Sequence, residues 1–340
     1  NCNVAIGNSA LKCNTTGSCN IALGRDAFRV SLSGDRNFAA GQCSLYSNWG
    51  GCYNHAIGYR ALLSNTTGCY NTAIGNDALY ANTTGHGNVA VGGYGALCDN
   101  TTGEYNTAIG QNALAGNIDG DFNTGIGYNA LNSNTAGCNN QAIGLNALRM
   151  NTTGSCNTAL GRYALYSNTT GLHNTAIGNQ ALYLNIAGCY NIAFGELALY
   201  ANLSGCDNFA AGCNALYNNT NGGCNTAIGC GALKSNTTGG SNTAIGRFAL
   251  NKNTTGYYNQ SIGMCSLYNN IAGSNNNAFG RGTLYTNTSG DNNNALGAYA
   301  LNKNTTGCNN TAMGYGALCN NTSGGCNTAI GCRALFTNTT

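Results

Sequence analysis

Asparagine returns every seventeen residues along this chain of 340. Asn3, Asn20, Asn37, Asn54, Asn71 and Asn88 stand 17 apart, and after one step of 18 the series resumes at Asn106 and runs to Asn327. Twenty units result, and the extra residue lies in Gly92-Gly93-Tyr94-Gly95. The consensus, numbered from this Asn, is N-T-A-I-G-x-x-A-L-Y-x-N-T-T-G-x-x. Position 5 is Gly in all twenty units, and position 9 is Leu in all but the one that carries Phe28. Position 3 is Ala except at Gly125 and Ser261, and position 12 is Asn except at Ser31. The register predicts one continuous array over 1–340, with a one-residue insertion near 93–95.

Seventeen residues are too few for helix-pair repeats, which need about 33 or more. Gly, Asn and Thr also oppose helix, Gly by about 1 kcal/mol per residue. The unit therefore predicts an all-β, parallel β-solenoid (β-roll) of twenty 17-residue coils. Thr-Ala-Ile and Ala-Leu-Tyr form its extended segments, and Asn-Thr-Thr-Gly the return turn. Coils stack about 4.8 Å apart, which makes a rod of roughly 96 Å. The aliphatic residues at position 4 and the Leu at position 9 are expected inside. Ala at positions 3 and 8 either fills a narrow interior or leaves a flat face for another backbone. A single coil cannot bury its own apolar side, so stability must come from stacking.

Composition narrows the function. Charged residues are 7% and the formal net charge is +3, which excludes a nucleic-acid binder resting on a broad basic field. No apolar run approaches the ~20 residues of a membrane helix. The chain lacks an initiator Met and a signal peptide, and reads as a processed or excised piece. Asn1 falls at position 16 and Thr340 at position 14, so one Gly would join end to beginning in register. That phase match predicts coaxial stacking of copies into a filament.

The recurring polar residues read first as structure. Stacked Asn side chains are expected to form amide ladders. Position 12 also creates sequons at Asn14, Asn65, Asn82, Asn151, Asn168, Asn236, Asn253 and Asn304, where glycans ~4.8 Å apart would collide unless sparse. Thr at positions 13 and 14 makes an interrupted array that admits an ice-binding reading. Tyr at position 10, as in Tyr80, Tyr166, Tyr183, Tyr200 and Tyr217, is expected to face outward, either stacked ring on ring or open to a glycan. Eleven of the nineteen Cys fall at positions 16 or 17. Cys2–Cys19, Cys52–Cys69, Cys189–Cys206 and Cys213–Cys230 are 17 apart. Neighbouring coils are within disulfide range, so these pairs predict bridges and, with the composition, an oxidising extracellular or cell-surface setting. His55, His86 and His173 are scattered and C-x-x-C is absent, so neither a metal site nor a cofactor is expected. Asp119-Gly120-Asp121 reads as a polar turn. No nucleophile and base recur together, so no enzyme activity is expected.

Val4-Ala5-Ile6-Gly7, Thr72-Ala73-Ile74-Gly75 and Thr226-Ala227-Ile228-Gly229 resemble the strands of head domains in trimeric autotransporter adhesins. That resemblance implies a left-handed parallel β-roll that trimerises. The longer unit, as in Gly58-Tyr59-Arg60-Ala61-Leu62-Leu63-Ser64-Asn65-Thr66-Thr67-Gly68, is similar to repeat arrays of bacterial and phage tail-fibre-like surface proteins. The expected function is a structural extracellular fibre subunit that associates with itself. A glycan-binding adhesin segment and an ice-binding solenoid are the alternatives.

Overall fold

The computed structural model describes residues 2–340. The chain divides into two compact units, Asn1–Leu172 and His173–Thr340. Each is a parallel β-solenoid with ten strands, one per repeat, and there is no helix among the described residues. Most strands are three residues long, such as Thr107–Ile109. Pairing is parallel in both units, and in register except for one shift between Ile74 and Asn76 in the first. In the first, Ala56 lies opposite Ala73 and Ile57 opposite Ile74. In the second, Ala227 lies opposite Ala244 and Ile228 opposite Ile245.

The strand faces differ from the expectation. Position 3 points inward and position 4 points outward. Ala108 is fully buried, whereas Ile109 next to it is 40% exposed. A strand alternates its side chains across two faces, so only one of positions 3 and 4 can enter the core. The tight coil leaves room for Ala there. The Ala columns at positions 3 and 8 are buried, as Ala73 and Ala78 show, and they offer no outer face to a neighbour.

Ala-Leu-Tyr is a turn rather than a second strand, and its Leu is left-handed in backbone, with φ of 52° at Leu114 and Leu182. Ala113 and Leu114 are both fully buried. Adjacent residues cannot both face inward on an extended strand, and the left-handed step turns the Leu back into the core. The turns are also tied coil to coil: the Leu62 N–H donates to the Ala78 carbonyl at 3.0 Å, and Ser64 N–H to the Tyr80 carbonyl at 3.1 Å.

Two glycine columns permit the close stacking. At position 5, Gly58 has φ of +132°, and a Cβ there would meet the Gly75 carbonyl oxygen at 2.5 Å. At position 15, a Cβ on Gly68 would stand 2.5 Å from both Asn65 Oδ1 and the Gly85 carbonyl. Both Asn columns form buried ladders beside these glycines. Asn71 Nδ2 donates to the Gly85 carbonyl at 2.8 Å, and its Oδ1 accepts the Asn88 N–H at 2.9 Å. Asn82 Nδ2 donates to Asn65 Oδ1 at 2.9 Å and to the Gly85 carbonyl at 3.1 Å.

Candidate functional site

Because the interior takes Ala and Leu, the larger aliphatics are left outside. Position 4 forms a column on the outer face of the sheet, including Ile74, Ile109 and Ile143 in the first unit and Ile177, Phe194, Ile228 and Met313 in the second, all exposed. Position 2 flanks it with Thr72, Thr107 and Thr124, half-buried. In the second unit the columns border a cavity of about 690 Å³ lined by Asn277, Phe279, Asn294, Leu296, Thr311 and Met313. A continuous apolar stripe of this kind is uncommon on a protein that stays alone in water. This face is the candidate interaction surface. The signal for it in the sequence was the near-constancy of small residues at position 3, Ala in all units but those with Gly125 and Ser261.

No bridge joins any cysteine pair in the structure. Cys52, Cys69, Cys189 and Cys206 stand at position 16, where both functions of the thiol are engaged. Cys69 Sγ accepts the Cys52 N–H at 3.1 Å and donates to the Thr67 carbonyl at 3.4 Å. Cys206 Sγ accepts the Cys189 N–H at 3.2 Å and donates to the Ser204 carbonyl at 3.5 Å. The same task falls to other residues of the column. Asp35 accepts the Ser18 N–H at 2.7 Å, His86 Nδ1 that of Cys69 at 2.9 Å, and Ser155 Oγ that of Cys138 at 3.0 Å. In these coils position 16 supplies an acceptor to the N–H of the coil before, a pattern hidden by reading its cysteines as bridge partners; Leu172, Gly223, Gly240, Tyr257 and Gly325 depart from it. Cys2, Cys19, Cys213 and Cys230 are exposed.

The sequons are inside. Asn65, Asn82, Asn151, Asn168, Asn236, Asn253 and Asn304 are fully buried, and Asn14 is half-buried with Nδ2 on the Gly17 carbonyl at 3.0 Å. A glycan on a buried Nδ2 would occupy the core and break the ladder. The Thr arrays likewise serve stacking: Thr66 and Thr135 hydroxyls donate to the Thr83 and Thr152 carbonyls at 3.0 and 3.1 Å. Asp121 in the Asp119-Gly120-Asp121 turn accepts the Glu104 N–H at 2.8 Å. The position-10 tyrosines are half-buried and stacked, with 5.2 Å between Tyr183 and Tyr200 and 5.0 Å between Tyr200 and Tyr217. Tyr80 faces the Arg60 guanidinium at 4.9 Å, and Tyr166 faces Arg149 at 5.9 Å.

The fold and this surface define the class: a tandem-repeat parallel β-solenoid in which each unit carries an outward aliphatic column. No protein-family model matches the chain, and no curated protein matches it. The likeness to adhesin heads and tail-fibre arrays rests on the repeat motif alone.

Proposed function

We propose that this protein is a structural fibre subunit that associates with copies of itself at a cell surface or outside the cell. The observation that supports this best is the aliphatic column at position 4. Each copy carries the same column with the same repeat, so two copies offer each other matched, periodic apolar faces. A net charge of +3 over 340 residues leaves little electrostatic repulsion to oppose their approach. The buried Ala columns cannot supply the lateral contact, and the sheet face takes that role. Coaxial stacking, the other mode, would extend the same ladders that join coils within a unit. The sparse charge suits an exported material.

The test is sedimentation velocity and electron microscopy of the full chain beside an Ile109→Lys/Ile143→Lys variant. Both substitutions lie on the outer face and leave the core intact. Wild type is expected to form oligomers or filaments, and the variant to stay monomeric with an unchanged melting temperature. A wild-type chain that remains monomeric at high concentration overturns the proposal. Thermal hysteresis in the same samples would favour the ice-binding reading instead.

A further inference from the structure

Position 7 forms a surface column in which every residue is left-handed, and its side chains stack coil on coil. Arg60 and Asp77 form an ion pair there, in which Nη2 donates to Oδ2 at 2.9 Å and Nε stands 2.8 Å from Oδ1. Farther along, Asn112 Nδ2 donates to Asn129 Oδ1, and Asn129 Nδ2 to Asn146 Oδ1, each at 3.3 Å. Between the two runs stands Gly95, and the ladder is missing one rung.

Four units carry Gly at position 7: Gly95, Gly231, Gly282 and Gly316. In three of them a ring from the next coil fills the space. A Cβ would meet Phe248 at 2.6 Å from Gly231, Tyr299 at 3.1 Å from Gly282, and Phe336 at 3.5 Å from Gly316. At Gly95 no ring enters. A Cβ would find only Asn112 Oδ1 at 3.1 Å and Cys98 Sγ at 3.8 Å.

The opening coincides with the one break in the repeat. The strands Thr72–Asn76 and Val89–Tyr94 are lengthened there, and their register shifts between Ile74 and Asn76. Position 10 contributes as well, because Cys98 and Ala115 follow Tyr80 and replace a large ring with small side chains. A cavity of about 300 Å³ results, lined by Arg60, Asp77, Tyr80, Tyr94, Cys98, Asp99 and Asn112.

Beside the paired Arg60 guanidinium and the Cys98 thiol, the groups facing this cavity are acceptors and aromatic rings. The Arg60 charge is consumed by Asp77. Asp99 is exposed and accepts only the Cys98 thiol, at 3.2 Å, in the contacts that define this site. Asn112 spends its amide nitrogen on Asn129 and turns Oδ1 to the gap. Tyr94 is 55% exposed. Two coils away the protein displays the group that suits such a lining: the Arg60 guanidinium lies 4.9 Å from the centres of both the Tyr59 and Tyr80 rings, with a carboxylate on its edge. We propose that the gap at Gly95 binds a guanidinium group, presented as an arginine side chain by a partner polypeptide. It would donate to Asp99 and Asn112 Oδ1 and lie against Tyr94, repeating the Arg60 arrangement in the vacant rung.

The experiment is saturation-transfer NMR on the full chain with L-arginine amide as probe and the neutral, near-isosteric L-citrulline amide as control. Gly95→Asn closes the rung. Asn fits the left-handed backbone, as Asn112, Asn129 and Asn146 do at φ of 53–55°, so the fold should survive, as an unchanged melting temperature would verify. Asp99→Asn, on an exposed turn, removes the charge without filling the gap. Transfer to arginine amide is expected in the wild type and should weaken about tenfold or more in each variant, the loss of a charge-assisted bond. Equal transfer to citrulline amide, undiminished transfer in Gly95→Asn, or preferential transfer to methyl glycosides in a parallel titration would each overturn the assignment. Self-association is read by sedimentation and does not enter this result.

Discussion

At the scale of the residue, the position-9 leucine combines a left-handed backbone with a fully buried side chain. A left-handed non-glycine residue costs about 1–2 kcal/mol. Full burial of a leucine side chain returns about 1.5–3 kcal/mol, so burial holds the strained backbone in place. Leu114→Ala should therefore lose about 2–5 kcal/mol in chemical denaturation. Ile109→Ala, on the outer face, should change stability by about 0.5 kcal/mol or less. The reverse order would show the two faces to be exchanged. Asn82 makes a second test. Its loss leaves Asn65 Oδ1 without a donor, and takes one of two bonds from the Gly85 carbonyl and from Asn100 Nδ2. Asn82→Ala should cost about 1–3 kcal/mol for a buried group so abandoned, and Asn82→Asp should not rescue it, since a carboxylate lacks the two donors.

At the scale of the element, position 16 closes the turn of one coil against the next. Cys69→Ser keeps an acceptor and should be tolerated, whereas Cys69→Val should lower the hydrogen-exchange protection of the Cys52 amide. With the thiols so occupied, Cys52 and Cys69 should be alkylated in non-reducing peptide mapping, and recovery of a joined peptide would contradict this geometry. Asp35 adds a pH dependence. The Ser18 N–H, then its hydroxyl, hold the Asp35 carboxyl below the usual carboxylate range. A group lowered in the folded state favours folding above its unfolded value and loses that effect as pH falls through the folded one. The Ser18 amide should stay protected at neutral pH and lose protection only below the ordinary aspartate range. Earlier loss, at the ordinary value, would show the contact to be absent. Cys98 behaves in the opposite sense: burial first, then the Asp99 carboxylate, push its thiol up to about 12, so it should be among the slowest cysteines to alkylate at pH 8.

At the scale of the whole molecule, each unit is quasi-one-dimensional, because a coil touches its neighbours and little else. Damage should stay local, and a disrupted central coil should lower cooperativity before it abolishes folding. Oriented samples should give a reflection near 4.8 Å from the parallel stacking of strands. Its absence from ordered fibres would rule out assembly through this fold.

The period, the parallel solenoid and the Asn ladders were legible in the sequence; the burial of those ladders was not. A strict recurrence of Asn, Gly and Leu has few physical causes other than identical coils in contact. Three further features were decided only by the tertiary structure. Which of Ala and Ile faces inward depends on the width of the coil, and side-chain alternation leaves two solutions until that width is known. Whether position 16 holds a bridge or an acceptor depends on where the backbone N–H of the neighbouring coil points, which no spacing of cysteines reports. The open rung at Gly95 depends on the absence of a ring that fills the same place at Gly231, Gly282 and Gly316, and that is a relation between side chains of successive coils.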